Sequence, residues 1–155
     1  MIKTVDSGDL PRALELVNRV FAEFVAVDYP EEGKKTFADY LENKLEEVAA
    51  DVESGRKKIW GYYENDEIIG VIATREISHI ALMFVDKNHH RKGVARQLFN
   101  TVLDDVRQNS GAEKITVNSS PYAVGIYEKL GFVKTDEQQM KDGILYTPMM
   151  REICM

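Results

Sequence analysis

The feature that most constrains this chain is a strand–helix–strand pattern between residues 79 and 118. The segment HIALMFVD is apolar enough for a buried strand, and KITVN is a short β-branched run typical of another. Between them, apolar residues recur in steps of four, with neighbours, from Val94 to Val106, which predicts one broad apolar helix face. A connection of this length can join parallel strands. We therefore expect one parallel strand pair in the sheet.

Two helix patterns and a hairpin pattern precede this unit. Apolar residues recur at helical spacing over residues 10–25, Pro30 interrupts, and a second helix pattern follows. The segments KKIWGYY and IIGVIATRE are rich in β-branched and aromatic residues, and the turn-forming tetrad ENDE separates them. This part of the chain therefore predicts two helices followed by a β-hairpin.

Further strand patterns stand at both ends of the sequence. MIKTV alternates as a short first strand, and the last part contains FVKTDEQQM and ILYTPMMREI with the turn KDG between them. Before that part, SSPYAVGIYEKLGF predicts a helix with a serine cap, Pro121 in its first turn and Gly131 just past its end.

The order β-α-α-β-β-β-α-β-α-β-β predicts the fold class. We expect an α/β fold of the α+β type, in which a mixed, mostly antiparallel sheet of about six to seven strands is flanked by about four helices. The 155 residues are 44% apolar and 30% charged, as in ordinary globular proteins. We expect residues 1–155 to form a single domain.

Charge and cysteine content restrict the class of function. The net charge of −6 and the pI of about 5.1 argue against a nucleic-acid-binding protein. The one cysteine, Cys154, cannot form an intrachain disulfide, which favours a reducing compartment. No apolar run approaches the ~18 residues of a membrane span, and MIKTVDSGDL lacks the apolar core of a signal peptide. We expect a cytoplasmic protein with no membrane or nucleic-acid partner.

The loop NHHRKGVARQLF concentrates positive charge at the start of a predicted helix. Free amides, the helix dipole and a glycine in such a place are suited to a phosphate, whereas a solvated basic helix start is the simpler alternative. A Walker loop would need a glycine where Asn88 stands, and a Rossmann fingerprint would need two more glycines. His89 and His90 are adjacent and His79 lies at the far end of the preceding strand, so their spacing does not predict a metal site.

Tyr127 is the second candidate functional residue. It lies in the middle of the predicted helix VGIYEK, four residues after Ala123 and four before Gly131. Small residues at these positions leave space for a ligand beside the ring, and a phenol that is protonated at neutral pH can donate a proton to a leaving anion. A core tyrosine is the alternative.

These two segments together resemble the GNAT superfamily of acyl-CoA-dependent N-acetyltransferases. The family's pyrophosphate loop, (Gln/Arg)-x-x-Gly-x-(Gly/Ala), is similar to HRKGVA, which has His90 at the first position. The signature A-x-x-x-Y-x-x-x-G-F is matched by AVGIYEKLGF. Seven residues before the tyrosine the family often has asparagine, where this chain has Ser120, with Asn118 two residues earlier. The specific resemblance covers residues 79–133, and the element order extends it over nearly the whole chain.

The resemblance implies acetyl-CoA as co-substrate, no metal, and a GNAT-like sheet whose parallel pair splays at the cofactor site. Loop amides would hold the pyrophosphate, and a strand N–H at Phe84 or Val85 would stabilise the oxyanion. Tyr127 would be the general acid, with His79 and Glu76 as candidate bases. The implied cofactor-binding residues are Met83, Phe84, Val85, Arg91, Lys92, Gly93, Val94, Ala95, Arg96, Asn118 and Ser120.

The reaction implied is direct acetyl transfer to a primary amine of a small molecule or a peptide or protein. The acidic chain favours a cationic amine, and homodimers are common in this family. A catalytically silent acyl-CoA-binding regulatory module, or a transferase for another acyl group or acceptor, remain alternatives. The candidate substrate-binding residues are Tyr29, Tyr40, Gln138, Gln139 and Met140.

Overall fold

The computed structural model describes residues 1–6, 8–43, 45–55, 57–90 and 92–153, apart from the side chains of residues 28 and 40–49. These residues form eight strands and five α-helices. The strands are β1 (Ile2–Thr4), β2 (Lys57–Glu64), β3 (Glu67–Arg75), β4 (His79–Val85), β5 (Lys114–Ser119), β6 (Val133–Lys134), β7 (Gln139–Lys141) and β8 (Ile144–Glu152). The helices are α1 (Leu10–Val20), α2 (Glu31–Asn43), α3 (Leu45–Ser54), α4 (Val94–Asn109) and α5 (Val124–Lys129).

The strands form one mixed sheet in the order β1-β2-β3-β4-β5-β8-β6, and β7 also pairs with β8. Its neighbouring strands are antiparallel except for β4 and β5, which are parallel and are connected through α4. The predicted parallel pair and the mostly antiparallel α/β fold are therefore confirmed.

Two tight turns set the register of the hairpins. Asn65 and Asp66 both have positive φ, 52° and 65°, between β2 and β3. Asp142 and Gly143 likewise have φ values of 53° and 79° between β7 and β8. Two central residues with positive φ are typical of the type I′ turn, whose twist matches that of paired strands. Both turns lie where the sequence has Asn, Asp or Gly, as predicted.

Helices cover both faces of the sheet. On one face, α4 inserts Leu98, Phe99 and Val102, which are at most 2% exposed, into a core shared with α5. Burying each such side chain contributes about 1.5–3 kcal/mol. On the other face, α1 packs Leu16 and Val17 into a second core. None of the described helices has the length and apolarity that a membrane span requires.

The structure differs from the prediction in two elements. The helix around Tyr127 begins at Val124, because the Ala123 N–H is taken up by a tight turn, bonded to the Ser120 carbonyl at 3.1 Å. Pro121 is therefore in this turn, and its prediction as a first-turn helical residue was wrong. The segment FVKTDEQQM forms β6 and β7 rather than one strand, because the Asp136 side chain bonds the amide of Glu137 and diverts the chain between them.

A helical segment of unusual pitch follows α1. Residues Phe21–Val25 form a π-helical turn, and Ala26–Asp28 form a 3₁₀ turn before Pro30. The predicted helix pattern over 10–25 therefore continues beyond α1 with a wider turn. Such turns rotate the side chains that follow relative to a regular helix, and they are frequent at functional sites.

Candidate functional site

Strands β4 and β5 are joined at only one end. His79 pairs with Thr116 and Ile80 with Val117, and β4 then runs on to Val85 without another pair to β5 within the described strands. The two strands therefore splay apart. Residues 81–85 present backbone groups to a gap where a regular sheet would have its next ladder bonds.

A β-bulge lies where the strands diverge. Ile80 and Leu82 pair with adjacent residues of β3, so that Ala81 between them is an extra residue. Ile80 packs into the α4 side of the core, whereas Leu82 and Phe84 pack towards α1. A regular strand would place all three on one face. The bulge therefore re-aims the outer half of β4.

The gap opens into a cleft of about 920 Å³, a volume typical of a small-molecule site. β4 and α5 form its middle, the first turn of α4 forms one end, and aromatic residues after α1 form the other. Of the predicted cofactor-binding residues, the structure brings nine together in the wall of this cleft. They are Met83, Phe84, Val85, Gly93, Val94, Ala95, Arg96, Asn118 and Ser120.

The α4 end of the cleft carries backbone donors that have no partner among the described residues. Gly93 is the N-cap residue of α4 and has φ 79°. No described side chain caps the first amides of the helix with a hydrogen bond. The first intrahelical bond runs from the Gln97 N–H to the Gly93 carbonyl at 3.0 Å, which leaves the amides of residues 94–96 without a helical acceptor. A Cβ atom placed on Gly93 would meet only Gln97 Nε2, at 3.9 Å. The geometry leaves open space in front of free N–H groups.

Positive charge surrounds these amides. Arg96 and Lys129 line the same end of the cleft, and Arg96 Nη2 donates to the Lys129 carbonyl at 3.2 Å. Lys92 is exposed beside Gly93 but does not belong to the cleft wall, and Arg91 lies outside the described residues. Free amides, a helix dipole and two cations are suited to an anion such as a phosphate.

His90 fastens the loop to the end of β4. Its Nε2–H donates to the Val85 carbonyl at 2.7 Å, which leaves Nδ1 as the acceptor facing the Tyr122 hydroxyl at 3.5 Å. The neighbouring His89 points elsewhere, with Nε2 3.9 Å from Glu64. In the described part of the chain, no three His, Cys, Asp or Glu residues are grouped so as to hold a metal.

The end of α5 holds the Tyr127 ring in place. The helix stops at Gly131, with φ 96°, and the Phe132 N–H donates back to the Tyr127 carbonyl at 3.0 Å. This Schellman arrangement brings the Phe132 ring edge-on to Tyr127, with centroids 5.4 Å apart. The spacing Tyr-x-x-x-Gly-Phe therefore has a structural basis: the glycine ends the helix, and the phenylalanine supports the tyrosine.

Tyr127 is 4% exposed, and it lines the cleft. Burial penalises its anionic form and raises the pKa of its hydroxyl well above the usual value of 10. The hydroxyl therefore stays protonated throughout the neutral range, and it can serve as a proton donor but not as a base.

The structure does not bring the two candidate bases into this cleft. His79 lies at the closed end of β4, with Nδ1 2.8 Å from Thr116 Oγ1, and Glu76 is exposed in the turn before it with φ 52°. Burial, helped by the Arg75 charge and opposed by Glu76, lowers the pKa of His79 below 6.5. Neither residue is in the cleft wall.

The predicted substrate residues divide between different places. Tyr29 lines the cleft, and its hydroxyl donates to the Leu145 carbonyl at 3.0 Å. Gln138 lines a separate surface cavity of about 530 Å³. Gln139 accepts from the Tyr146 hydroxyl at 3.1 Å, and Met140 is 60% exposed. The side chain of Tyr40 lies outside the described residues.

Three aromatic residues of the cleft were not predicted as site residues. Phe21, Phe24 and Phe37 line the cleft, and the Phe24 ring lies 5.0 Å from the ring of His90 in the loop before α4. Their spacing is that of an apolar helix face, which does not distinguish core residues from cleft residues. Only the π-helical turn and the splay of β4 show that these rings face a space.

Comparison with known proteins agrees with this geometry. The acetyltransferase (GNAT) domain family matches residues 25–153. The chain belongs to the GNAT acetyltransferase family. Its splayed pair β4–β5, the uncapped start of α4 and Tyr127 all lie within the matched range.

Solved GNAT structures share the fold of this chain. A GCN5-related N-acetyltransferase from Rhodopseudomonas palustris superimposes with a TM-score of 0.81, at 17% identity over 98% of this chain and 94% of that one. The PaiA N-acetyltransferase from Thermoplasma acidophilum, in complex with coenzyme A, gives 0.80 at 16% identity over 98% of both chains. At these identities the likeness establishes the fold.

A sequence relative is the UPF0157 protein YqkA of Bacillus subtilis. It is 33% identical over 108 residues, which are 65% of this chain. The aligned part spans 30% of the length of that protein.

Proposed function

We propose that this acetyltransferase transfers an acetyl group from acetyl-CoA to a primary amine by direct attack within a ternary complex. One observation carries the proposal: the splayed half of β4, the uncapped start of α4 and the protonated Tyr127 face one cleft. A protein of the same fold in complex with coenzyme A supports the choice of co-substrate.

The residues present fit the chemistry of acyl-CoA. The free amides of residues 94–96, with Arg96 and Lys129 beside them, would hold the pyrophosphate, and the open space at Gly93 would admit it. Residues 83–85 have no strand partner on their β5 side within the described strands, and the backbone groups of this edge would bond the amides of the pantetheine arm as a neighbouring strand does. The Val85 carbonyl is not among these groups, because it already accepts from His90 Nε2. Of the polar residues Asn118 and Ser120, the serine hydroxyl already accepts from the Ala123 N–H at 3.3 Å, whereas Asn118 is exposed in the cleft.

The reaction moves one proton off the amine and one proton onto the sulfur. The amine nitrogen forms a bond to the thioester carbon, the carbon–sulfur bond breaks, and the amine loses one proton while the thiolate gains one. Tyr127 supplies the proton to sulfur, since its hydroxyl is protonated, buried and in the cleft wall. The proton of the amine passes to water and returns to Tyr127 through solvent, because His79 and Glu76 do not line the cleft.

Thermal unfolding with acetyl-CoA, followed by thiol release with amines, tests the proposal. Acetyl-CoA at ~100 times its Kd should stabilise the folded protein by about 2.7 kcal/mol and raise Tm. Amine-dependent thiol release should follow. The absence of any Tm shift with acyl-CoA would refute the proposal. A shift without thiol release would indicate the silent binding module, and a larger shift with a longer acyl-CoA would indicate a different acyl group.

A further inference from the structure

We infer that the acceptor is a monoamine with an apolar body of roughly aromatic size, and that amines with a second positive charge are disfavoured. The inference rests on the proposed function, because it concerns the end of the same cleft that lies opposite the uncapped helix. It narrows the cationic amine that the acidity of the whole chain favours to an amine with a single positive charge.

This end of the cleft is built from rings. Phe21 stacks on Phe37 with centroids 3.9 Å apart, and Tyr29 meets Phe21 edge-on at 5.3 Å. Phe84, which the bulge at Ala81 turns to this side, lies 6.4 Å from Phe37. Phe37 and Phe84 are each only partly buried, so their rings still present apolar surface to the cleft.

The hairpin closes this apolar pocket from the other side. Ile144 of β8 lines the cleft and packs against the same aromatic cluster. The hydroxyl of Tyr29 donates to the Leu145 carbonyl at 3.0 Å and holds that ring against the hairpin. An apolar molecule in this pocket would therefore meet hydrocarbon and ring surface from the π-helical turn after α1 and from α2, β4 and β8.

No carboxylate lines the cleft among the side chains that the structure describes. The chain has 26 acidic and 20 basic residues, so their absence from the described part of this wall does not reflect a shortage of acidic residues. Of the cationic residues in the wall, Lys87 pairs with Glu23 at 3.3 Å, and Arg96 and Lys129 lie at the α4 end. The inference therefore depends on the apolar character of the pocket rather than on repulsion by these cations.

A second ammonium group would lose its hydration in this pocket without gaining an anionic partner among the described side chains. Burial of an unpaired charge is far more costly than burial of a methyl group in the same position. Ring faces attract cations when they surround them, but here Phe21 and Phe37 each cover one face of the other, and Tyr29 meets Phe21 with its edge. An apolar tail is therefore favoured over a charged tail of equal length.

A matched pair of amines tests the inference on the wild-type protein. Hexylamine and 1,6-diaminohexane have the same chain length and differ by one ammonium group. We expect kcat/KM in the thiol-release assay to be at least about tenfold higher for hexylamine, and 2-phenylethylamine to be turned over as well. An equal or higher kcat/KM for the diamine would overturn the inference. It would also be overturned if the protein binds acetyl-CoA but its coenzyme A complex binds neither hexylamine nor 2-phenylethylamine. Failure of the proposed function gives a different result, since acetyl-CoA then leaves Tm unchanged.

A single substitution should invert the preference. Phe37→Asp places a carboxylate in the aromatic wall, so the hexylamine-to-diamine ratio of kcat/KM should fall by about tenfold or more. Val133→Asp introduces the same charge at a 58% exposed position outside the cleft, and its ratio should equal that of the wild type. Equal ratios in the two folded variants would overturn the placement of the acceptor. If Phe37→Asp does not fold, Ile144→Asp makes the same test from the hairpin wall.

Discussion

A carboxylate at position 93 should weaken coenzyme A binding more than its uncharged isostere does. Gly93 has φ 79°, and a Cβ atom there would meet only Gln97 Nε2 at 3.9 Å, so a side chain fits in space but not without backbone strain. Asn and Asp tolerate this conformation better than other residues, so each variant should lose about 1 kcal/mol or less of stability. The two variants therefore share the strain and differ only in charge.

The charge difference sets the expected magnitude. Two unit charges about 4 Å apart in water repel by about 1 kcal/mol, and a pyrophosphate carries more than one charge. Gly93→Asp should therefore bind coenzyme A about 5- to 30-fold more weakly than Gly93→Asn, a difference of about 1–2 kcal/mol. Titration calorimetry at low and at high salt measures this ratio, which should shrink as salt increases.

Gly55 provides a matched control elsewhere in the chain. It also has a positive φ, 83°, and nothing lies within 4 Å of an added Cβ. Gly55→Asp therefore introduces a similar strain and the same charge outside the cleft, and coenzyme A affinity should equal that of the wild type. Equal affinities for Gly93→Asp and Gly93→Asn would refute the assignment of the pyrophosphate to the start of α4.

Three further predictions follow from individual contacts. Tyr127→Phe should lower kcat by about 10²–10⁴-fold while the Kd for coenzyme A stays near that of the wild type. Tyr63 is another buried tyrosine but lies outside the cleft wall, so Tyr63→Phe should leave kcat unchanged. Equal kcat values for the two variants would exclude Tyr127 as the acid. The pKa of His79 is lowered in the folded state, so the unfolded state binds more protons and the free energy of unfolding should fall as pH drops through 6.5. Urea unfolding of His79→Gln should show a weaker dependence of this free energy on pH. An identical pH dependence in the wild type and the variant would contradict the prediction. Gly33→Ala would place Cβ against the Gly143 carbonyl oxygen and should cost about 1–3 kcal/mol, which lowers Tm, whereas Gly111→Ala, with nothing within 4 Å of its Cβ, should leave Tm unchanged. Matching Tm values for the two variants would show that α2 and the β7–β8 turn separate freely.

Much of this architecture could be predicted because local patterns and tertiary packing agree. The pairs Asn65–Asp66 and Asp142–Gly143 form the turns that their residue types favour. Gly131 ends α5, and the strand–helix–strand unit gives the parallel pair. The loop around Gly93 and the helix carrying Tyr127 converge on one cleft, as their shared resemblance to GNAT proteins implied.

Other features depend on contacts that no local pattern contains. The bulge at Ala81 arises from how β4 pairs with β3, and it alone turns Phe84 to the α1 side. The π-helical turn from Phe21 to Val25 interrupts a pattern that looks like continuous helix. Gln138 belongs to another cavity because the chain is diverted at Asp136, whose side chain bonds the next amide.

Residue-resolved amide hydrogen exchange, with and without coenzyme A, tests the central claim most directly. The amides of residues 94–96 lack helical acceptors, and the outer half of β4 has no pair on its β5 side, so some amides of both segments should exchange readily in the free protein. Saturating coenzyme A should slow exchange at residues 94–96 and within 81–85, and it should leave β1 and β2 unchanged. Saturation that raises Tm while leaving both segments unprotected would contradict the placement of the acyl-CoA site in the β4–β5 cleft.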